Sequence, residues 1–172
     1  RQRIFHWITE FWDGYQDYDS WHSGLLVIIH KAGKSKDDPN NYRGVNLMDV
    51  ISKVMSKILN KRLFKLLEKY GTKSQFGGTP NVGCREGIFT LKTLLHTRRN
   101  HNLGTHVAFI DLVKAYDTAN HELFILILKK YGAPPKLCAV IERIYTDLKV
   151  VLKIGKNKIE ISQGVGVRQG DN

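Results

Sequence analysis

The segment FIDLVKAYD, from Phe109 to Asp117, places an acidic residue at the end of an apolar run. Alternation from His106 to Leu112 predicts a β-strand, with Val107 and Asp111 on one face. A carboxylate at the tip of a mostly buried strand is costly to desolvate unless a cation or hydrogen bonds compensate it. Such a carboxylate is suited to hold Mg²⁺, and a polar residue that simply ends a strand is the alternative.

The charge balance favours a polyanionic partner. The chain has 27 Lys and Arg residues against 16 Asp and Glu residues, a net charge of +11. That excess is typical of proteins that bind nucleic acid or, less often, an anionic membrane, and a merely basic soluble protein is the alternative. The length of 172 residues is enough for one domain with a sizeable core.

Several common classes of site are excluded by residue spacing. Cys84 and Cys138 are far apart and belong to no metal-ligand cluster, which argues against structural zinc and a disulfide framework. No apolar stretch is long enough to span a bilayer. Of the two polyanionic partners that the charge allows, nucleic acid is the one expected, and no membrane is expected. The chain starts at Arg1 and stops in a polar segment at Asn172, and we expect it to be a piece of a longer protein.

Apolar periodicity and turn residues predict the other elements. In chain order they are a short amphipathic helix and exposed tail within 1–20, a buried strand at 21–30, helices at 47–70, 85–98, 120–131 and 135–147, and a hairpin at 149–162. Helices and strands do not alternate regularly, which predicts the α+β class.

The predicted helix at 47–70 carries a lysine every four residues. The stripe consists of Lys53, Lys57, Lys61, Lys65 and Lys69. A solvated helix face is the commoner meaning of such a stripe, and a nucleic-acid contact is the alternative. Lys53, Lys57 and Lys61 are therefore candidate nucleic-acid contacts.

Several strings of residues occur in a recognisable order. They are Trp21 followed by LVIIHK ending at Lys31, DPNNYRGVNL at 38–47, NKRL at 60–63, QFG at 75–77, FIDLVKAYD at 109–117 and GVRQGD at 166–171. Together they resemble the reverse transcriptase domain of non-LTR (LINE-type) retroelements and, more distantly, group II intron reverse transcriptases. The resemblance covers about residues 21–172.

The resemblance implies the fingers and the start of the palm of a right-hand-shaped polymerase, truncated before the motif C hairpin. It divides the chain into an N-terminal extension at 1–20, a fingers-like region at 21–105 and the start of the palm at 106–172. The implied function is RNA-directed DNA polymerisation in retroelement replication, with a two-metal Mg²⁺ site only partly present here. The implied partners are an RNA template, a DNA primer, a dNTP, and the remaining palm and thumb of the same protein.

The string FIDLVKAYD at 109–117 matches the family's motif A, and this match assigns the metal and sugar contacts. Asp111 matches the first catalytic aspartate, which binds both Mg²⁺ ions, and the backbone carbonyl of Leu112 adds a metal ligand. Tyr116 matches the aromatic residue that excludes a ribose 2′-hydroxyl. Asp117 is open to two interpretations, a second metal ligand or, more commonly for such a position, an acidic residue at a helix N-terminus.

The remaining nucleotide contacts come from two other strings. Arg43 matches the fingers arginine that grips the triphosphate, with Lys31, or less securely Lys34, as its companion. Gln169 and Gly170 match the start of motif B, near the nascent base pair. Without the resemblance, Arg43 would be expected to pair with a nearby aspartate: Asp37, Asp38 or Asp49.

Departures from the family leave a second function open. Gly78 stands where the family usually has Phe, and Asp171-Asn172 stands where it usually continues Asp-Pro-Leu-Ser-Pro. These differences are compatible with a catalytically dead or domesticated remnant that binds RNA or DNA. Localisation also stays open between the nucleus or a ribonucleoprotein particle for a LINE-type element, and an organelle or bacterial cytoplasm for an intron-encoded one.

Overall fold

A computed structural model describes residues 2–167 of the chain. These residues fall into two compact units, the first formed by 2–66 and 114–167 and the second by 67–113. The described elements are α1 (Gln2–Asp13), α2 (Asp19–His22), β1 (Ser23–His30), β2 (Tyr42–Met48), α3 (Val50–Tyr70), α4 (Cys84–Asn100), α5 (His121–Lys130), α6 (Pro135–Tyr145), β3 (Lys149–Ile154) and β4 (Asn157–Ser162). The predicted α+β class is confirmed, and no helix in the described part is both long and apolar enough to cross a membrane.

One four-stranded sheet, with the order β2-β1-β3-β4, lies in the first unit. Two antiparallel hairpins, β1–β2 and β3–β4, are joined by parallel pairing of β1 with β3. The predicted β3–β4 hairpin is confirmed, and its tight turn uses Gly155 at a φ of 60°. Because the β1–β3 pairing stops at Leu26 and Leu152, Ile28 and Ile29 are half exposed, and the prediction of a fully buried strand at 21–30 is wrong there.

The core of the first unit is formed by helices, including α1. Phe11 is 0% exposed, and its ring centroid lies 4.6 Å from that of Trp21. The guanidinium of Arg143 on α6 lies 4.3 Å above the same Phe11 ring, a cation–π contact. An ion pair between Asp13 and Lys136 adds a second link from α1 to α6. The predicted N-terminal helix is confirmed, and it is packed into the core by its Phe11 side.

Helix α3 begins three residues later than predicted. Leu47 and Met48 belong to β2, where they pair with β1, so the apolar residues that suggested a helix start serve the sheet. The carboxylate of Asp49 then accepts hydrogen bonds from the backbone N–H groups of Ile51 and Ser52, at 2.8 and 3.2 Å, and caps the helix. The helix ends at Tyr70 as predicted, and Gly71 follows in a conformation that only glycine allows, since a Cβ there would overlap the carbonyl oxygen of Leu67.

In the second unit, helix α4 has the position predicted for it. The carboxylate of Glu86 accepts a hydrogen bond of 2.8 Å from the backbone N–H of Gly83, which supplies the acidic half of a capping box. Backbone hydrogen bonds, from Glu86 itself and from Gly83, lower the pKa of the Glu86 carboxyl.

The predicted strand at 106–112 is absent. Residues 103–112 form neither helix nor strand, and Phe109 and Ile110 are 86% and 87% exposed. Apolar alternation produces a strand only where a neighbouring strand supplies ladder hydrogen bonds and a packed layer covers one face. Among the residues that the structure describes, this segment has neither, so the prediction of a buried strand is wrong.

Candidate active site

The β1–β2 hairpin carries three of the candidate nucleotide contacts. Arg43 lies on β2 opposite Ile29, and its side chain is exposed. Lys31 follows β1 directly, and its ammonium donates a hydrogen bond of 2.8 Å to the carbonyl of Asn40 across the loop. Lys34 is exposed within the same loop. Arg43, Lys31 and Lys34 therefore belong to one hairpin, at the end where its loop begins.

Polar side chains fix the loop between the two strands. The carboxylate of Asp38 accepts a hydrogen bond of 2.9 Å from the backbone N–H of Asn40 and caps the short 3-10 turn Pro39–Asn41. The side-chain amide of Asn41 donates to the carbonyl of Ser35 at 2.9 Å, and the hydroxyl of Tyr42 donates to that of Lys36 at 2.8 Å. Because these hydrogen bonds join the loop to itself, it presents its lysines from a defined framework.

The expected surface ion pair of Arg43 is not formed. Asp38 caps the 3-10 turn and Asp49 caps α3, so both carboxylates have local partners. Within residues 2–167, none of the ion pairs includes Arg43. Among these residues its guanidinium meets no carboxylate, and phosphate binding by Arg43 stays a prediction.

Tyr116 lies on a tight turn ahead of α5 and is 64% exposed. The turn begins at Lys114, which adopts a left-handed φ of 50°. The carbonyl of Lys114 accepts hydrogen bonds from the backbone N–H groups of Asp117 and Thr118, at 2.9 and 3.1 Å. The ring of Tyr116 is thus exposed on a closed turn, as a residue facing a ligand requires.

Asp117 does not start a helix, contrary to the prediction. Helix α5 begins at His121, and its cap is Asn120, whose side-chain oxygen accepts a hydrogen bond of 2.8 Å from the N–H of Leu123. Asn120, which lies nearer the apolar residues of α5, therefore caps this helix. Asp117 is exposed within the preceding turn.

The turn is hydrogen-bonded to the segment that precedes Gln169. The backbone N–H of Gly166 donates to the carbonyl of Ala119, and that of Val167 donates to the carbonyl of Tyr116, both at 2.7 Å. The predicted contacts Gln169 and Gly170 lie outside the described residues. The described part of their segment is thus in direct contact with the turn of Tyr116.

Sequence reasoning did not single out the side chain that reinforces this contact. The Nε2 atom of His121 lies 2.6 Å from the carbonyl oxygen of Gly166, which can only accept, so the imidazole donates. The available signals were a histidine five residues after Tyr116 and a glycine three before Gln169. Neither signal indicates which long-range partner each residue has.

Asp111 and Leu112 lie in the second unit, whereas Arg43 and Tyr116 lie in the first. Asp111 and Leu112 are both exposed. A carboxylate and a backbone carbonyl are the oxygen donors that Mg²⁺ prefers, so their chemistry fits the ion. In the described part of the chain, no three acidic, His or Cys side chains gather into a metal site. The chain thus offers two suitable donors, and their convergence with the nucleotide contacts stays a prediction.

The lysine stripe on α3 is partly exposed. Lys57 and Lys61 are exposed, whereas Lys53 is half-buried. Each step of four residues rotates a position by about 40° around an α-helix, so the lysines wind around α3 and do not form one straight row. Nucleic-acid binding by Lys53, Lys57 and Lys61 stays a prediction.

Comparison with known proteins decides the family. The model of the family described as reverse transcriptase (RNA-dependent DNA polymerase) matches residues 29–172, most of the chain. The chain belongs to the reverse transcriptase family. The resemblance to reverse transcriptases of non-LTR retroelements is thereby confirmed, as the names of the relatives also show.

Several relatives of this reverse transcriptase domain are proteins of mobile elements. The chain is 28% identical over 159 residues to the RNA-directed DNA polymerase from mobile element jockey of Drosophila melanogaster, with 88% of the chain and 17% of the relative covered. A Pol polyprotein from the type-1 retrotransposable element R2 of Popillia japonica is 26% identical over 155 residues, with 88% and 21% covered. A 149 kDa protein of transposon TX1 of Xenopus laevis is 27% identical over 147 residues, with 85% and 11% covered.

The chain spans about a fifth or less of the length of these relatives. Reverse transcriptase domains act on a nucleic-acid template and primer with dNTPs, and they generally use divalent metal ions. The match from 29 to 172 includes every candidate nucleotide and metal contact, from Lys31 to Gly170.

Proposed function

We propose that this chain is part of an Mg²⁺-dependent RNA-directed DNA polymerase that adds dNTPs to a primer 3′-hydroxyl during retroelement replication. The observation that carries the proposal is the family match, which includes all candidate site residues. The exposed guanidinium of Arg43, which forms no ion pair with residues 2–167, and the exposed ring of Tyr116 agree with it, since both would have to meet a ligand.

The β1–β2 hairpin binds the triphosphate in this proposal. Arg43 presents a planar fork of N–H donors, which suits bidentate bonding to phosphate oxygens. Lys34 adds a point charge from the loop. Lys31 uses one N–H on the carbonyl of Asn40 and keeps two others for a phosphate. The basic stripe that contains Lys57 and Lys61 contacts the phosphates of the template–primer duplex. Such phosphate contacts bind nucleic acid independently of its base sequence.

The motif A segment supplies the chemistry. Asp111 and the carbonyl of Leu112 would hold the metal ions, which would supply activation of the primer hydroxyl and charge stabilisation of the leaving pyrophosphate. Tyr116 lies against the sugar of the incoming nucleotide and leaves no room for a 2′-hydroxyl. Gln169 and Gly170 complete the contact with the nascent base pair.

Replacing Tyr116 with alanine tests the sugar contact. We expect Tyr116→Ala to lower the preference for dCTP over CTP by about tenfold or more, because removing a bulky wall opens room for the extra hydroxyl, and such steric differences amount to about 1–3 kcal/mol. The measurement is kcat/KM for each nucleotide with the natural full-length protein on an RNA template. Tyr15→Ala, which removes an exposed tyrosine after α1, is the matched control. An unchanged ratio in Tyr116→Ala would contradict the assignment.

The 172 residues alone are expected to be inactive in primer extension. The resemblance assigns a single metal-binding carboxylate, Asp111, to this chain, and one carboxylate segment cannot hold two divalent ions. The measurement is incorporation of a labelled dNTP by the purified chain, with the natural full-length protein assayed in parallel. Extension by the short chain that Asp111→Ala abolishes would refute this expectation. Template binding without synthesis by the full-length protein would favour a non-catalytic remnant.

A further inference from the structure

The turn that carries Tyr116 is attached to residues 166–167 in a way that only glycine permits. Gly166 has a φ of 86°, in the left-handed region. A Cβ at this position would lie 2.7 Å from the carbonyl oxygen of Asp117 and 3.0 Å from its Cα. The two segments therefore touch through their backbones, with no space for a side chain between them.

Among the residues that the structure describes, three hydrogen bonds close this contact, and one of them comes from a side chain. The two backbone bonds, from Gly166 to Ala119 and from Val167 to Tyr116, cannot be removed by changing a side chain. The third is the bond from Nε2 of His121 to the carbonyl of Gly166, at 2.6 Å. Replacing His121 therefore removes one hydrogen bond of the contact and leaves the two backbone bonds and Gly166 in place.

The imidazole of His121 is itself held in place. It is the first residue of α5, directly after the cap Asn120, and its ring centroid lies 4.7 Å from that of Tyr145 on α6. The bond to Gly166 is partly buried, where a hydrogen bond is less exposed to competition from water. Helices α5 and α6 therefore fix the ring that holds Gly166.

We propose that His121 is a positioning residue: through the carbonyl of Gly166 it fixes residues 166–167 against the turn of Tyr116, and it thereby sets the preference for deoxynucleotides without touching the nucleotide. This inference rests on the proposed function, in which Tyr116 meets the sugar. A purely structural histidine would contribute stability alone. A positioning histidine also holds the turn of Tyr116 in place through Gly166 and Val167, so we expect its loss to change the choice of sugar.

Two variants separate the effect of the N–H donor of His121 from the effect of its aromatic ring. His121→Phe keeps an aromatic ring against Tyr145 and removes the N–H, whereas His121→Gln restores an N–H donor near the position of Nε2. The first measurement is amide hydrogen exchange of Val167 in the 172-residue chain. We expect about fivefold faster exchange in His121→Phe, the equivalent of about 1 kcal/mol, and near wild-type exchange in His121→Gln.

The amide of Ala133, bonded to the carbonyl of Leu128 in the same unit, reports general destabilisation. Equal acceleration of Val167 and Ala133 in His121→Phe, or no acceleration of Val167, would overturn the proposal. This readout needs no catalytic activity, so it remains decisive if the protein synthesises no DNA. His96→Phe, on α4, is the matched control for loss of a histidine that contacts an amide side chain.

The second measurement is the ratio of kcat/KM for dCTP and CTP in the natural full-length protein. We expect His121→Phe to lower the ratio about fivefold and His121→Gln to restore it, with His96→Phe unchanged. A ratio that falls in Tyr116→Ala and stays at the wild-type value in His121→Phe would overturn the role of His121 and leave the proposed sugar contact of Tyr116 intact. A ratio unaffected even by Tyr116→Ala would count against the proposed sugar contact itself.

Discussion

Asp111→Asn is expected to lower incorporation of a single dNTP by the natural full-length protein by about a thousandfold or more. In the proposed site, the substitution replaces a charged oxygen ligand of Mg²⁺ with a neutral amide of nearly the same shape. Metal ions stabilise transition-state charge by several kcal/mol, and each 1.36 kcal/mol is a factor of ten in rate. The measurement is single-turnover incorporation on an RNA template at saturating dNTP.

The control for Asp111→Asn is Asp147→Asn. It removes one negative charge from an exposed residue whose φ of 53° asparagine also tolerates. We expect this control to keep wild-type incorporation. A loss below about tenfold in Asp111→Asn, or an equal loss in both variants, would show that Asp111 is not a metal ligand in the reaction.

Phe11→Ala is expected to lower the free energy of unfolding by about 3–5 kcal/mol, the usual cost of truncating a buried aromatic residue. The Phe11 side chain is fully buried, and it contacts both the ring of Trp21 and the guanidinium of Arg143. Its removal therefore leaves a cavity and deprives a partly buried cation of its aromatic partner. The measurement is urea denaturation of the 172-residue chain, followed by far-ultraviolet circular dichroism.

Phe5→Ala on the same helix is the matched control, because Phe5 is 74% exposed. Surface substitutions of this kind usually change stability by less than about 0.5 kcal/mol. If Phe11→Ala were as mild as Phe5→Ala, residues 2–13 would be a dispensable extension. The large difference that we expect would make them part of the core of the first unit.

Elements with strong local signals were predicted close to their observed positions. Helix α4 has apolar residues at helical spacing, and α5 begins after a good capping residue and ends near Gly132, which has a φ of 77°. The hairpin of β3 and β4 follows from alternation around Gly155. In each case the residues that specify the element lie within it or directly beside it.

The wrong predictions concern segments whose structure depends on distant partners. The alternation at 106–112 could not show whether a ladder partner is present. Leu47 and Met48 fit a helix face and a strand equally well, and pairing with β1 decided between them. Asp117 had the chemistry of a helix start, but Asn120 caps α5 instead.

The same division holds for the site. Motifs alone identified Asp111, Tyr116 and Arg43 as candidates, since each belongs to a recognisable string. His121 is 45 residues from Gly166 in sequence, and only the folded chain shows that the two are hydrogen-bonded. Positioning contacts of this kind depend on tertiary structure, so a single sequence contains no direct signal for them.

RNA-templated primer extension by the natural full-length protein is the most direct test of the central claim, that this chain belongs to a working RNA-directed DNA polymerase. The assay supplies an RNA template, an annealed DNA primer, Mg²⁺ and labelled dNTPs, and the product is sequenced. We predict a DNA product complementary to the RNA template that is lost when Mg²⁺ is chelated. Full-length protein that binds the template–primer under these conditions and yields no extended product would contradict the claim.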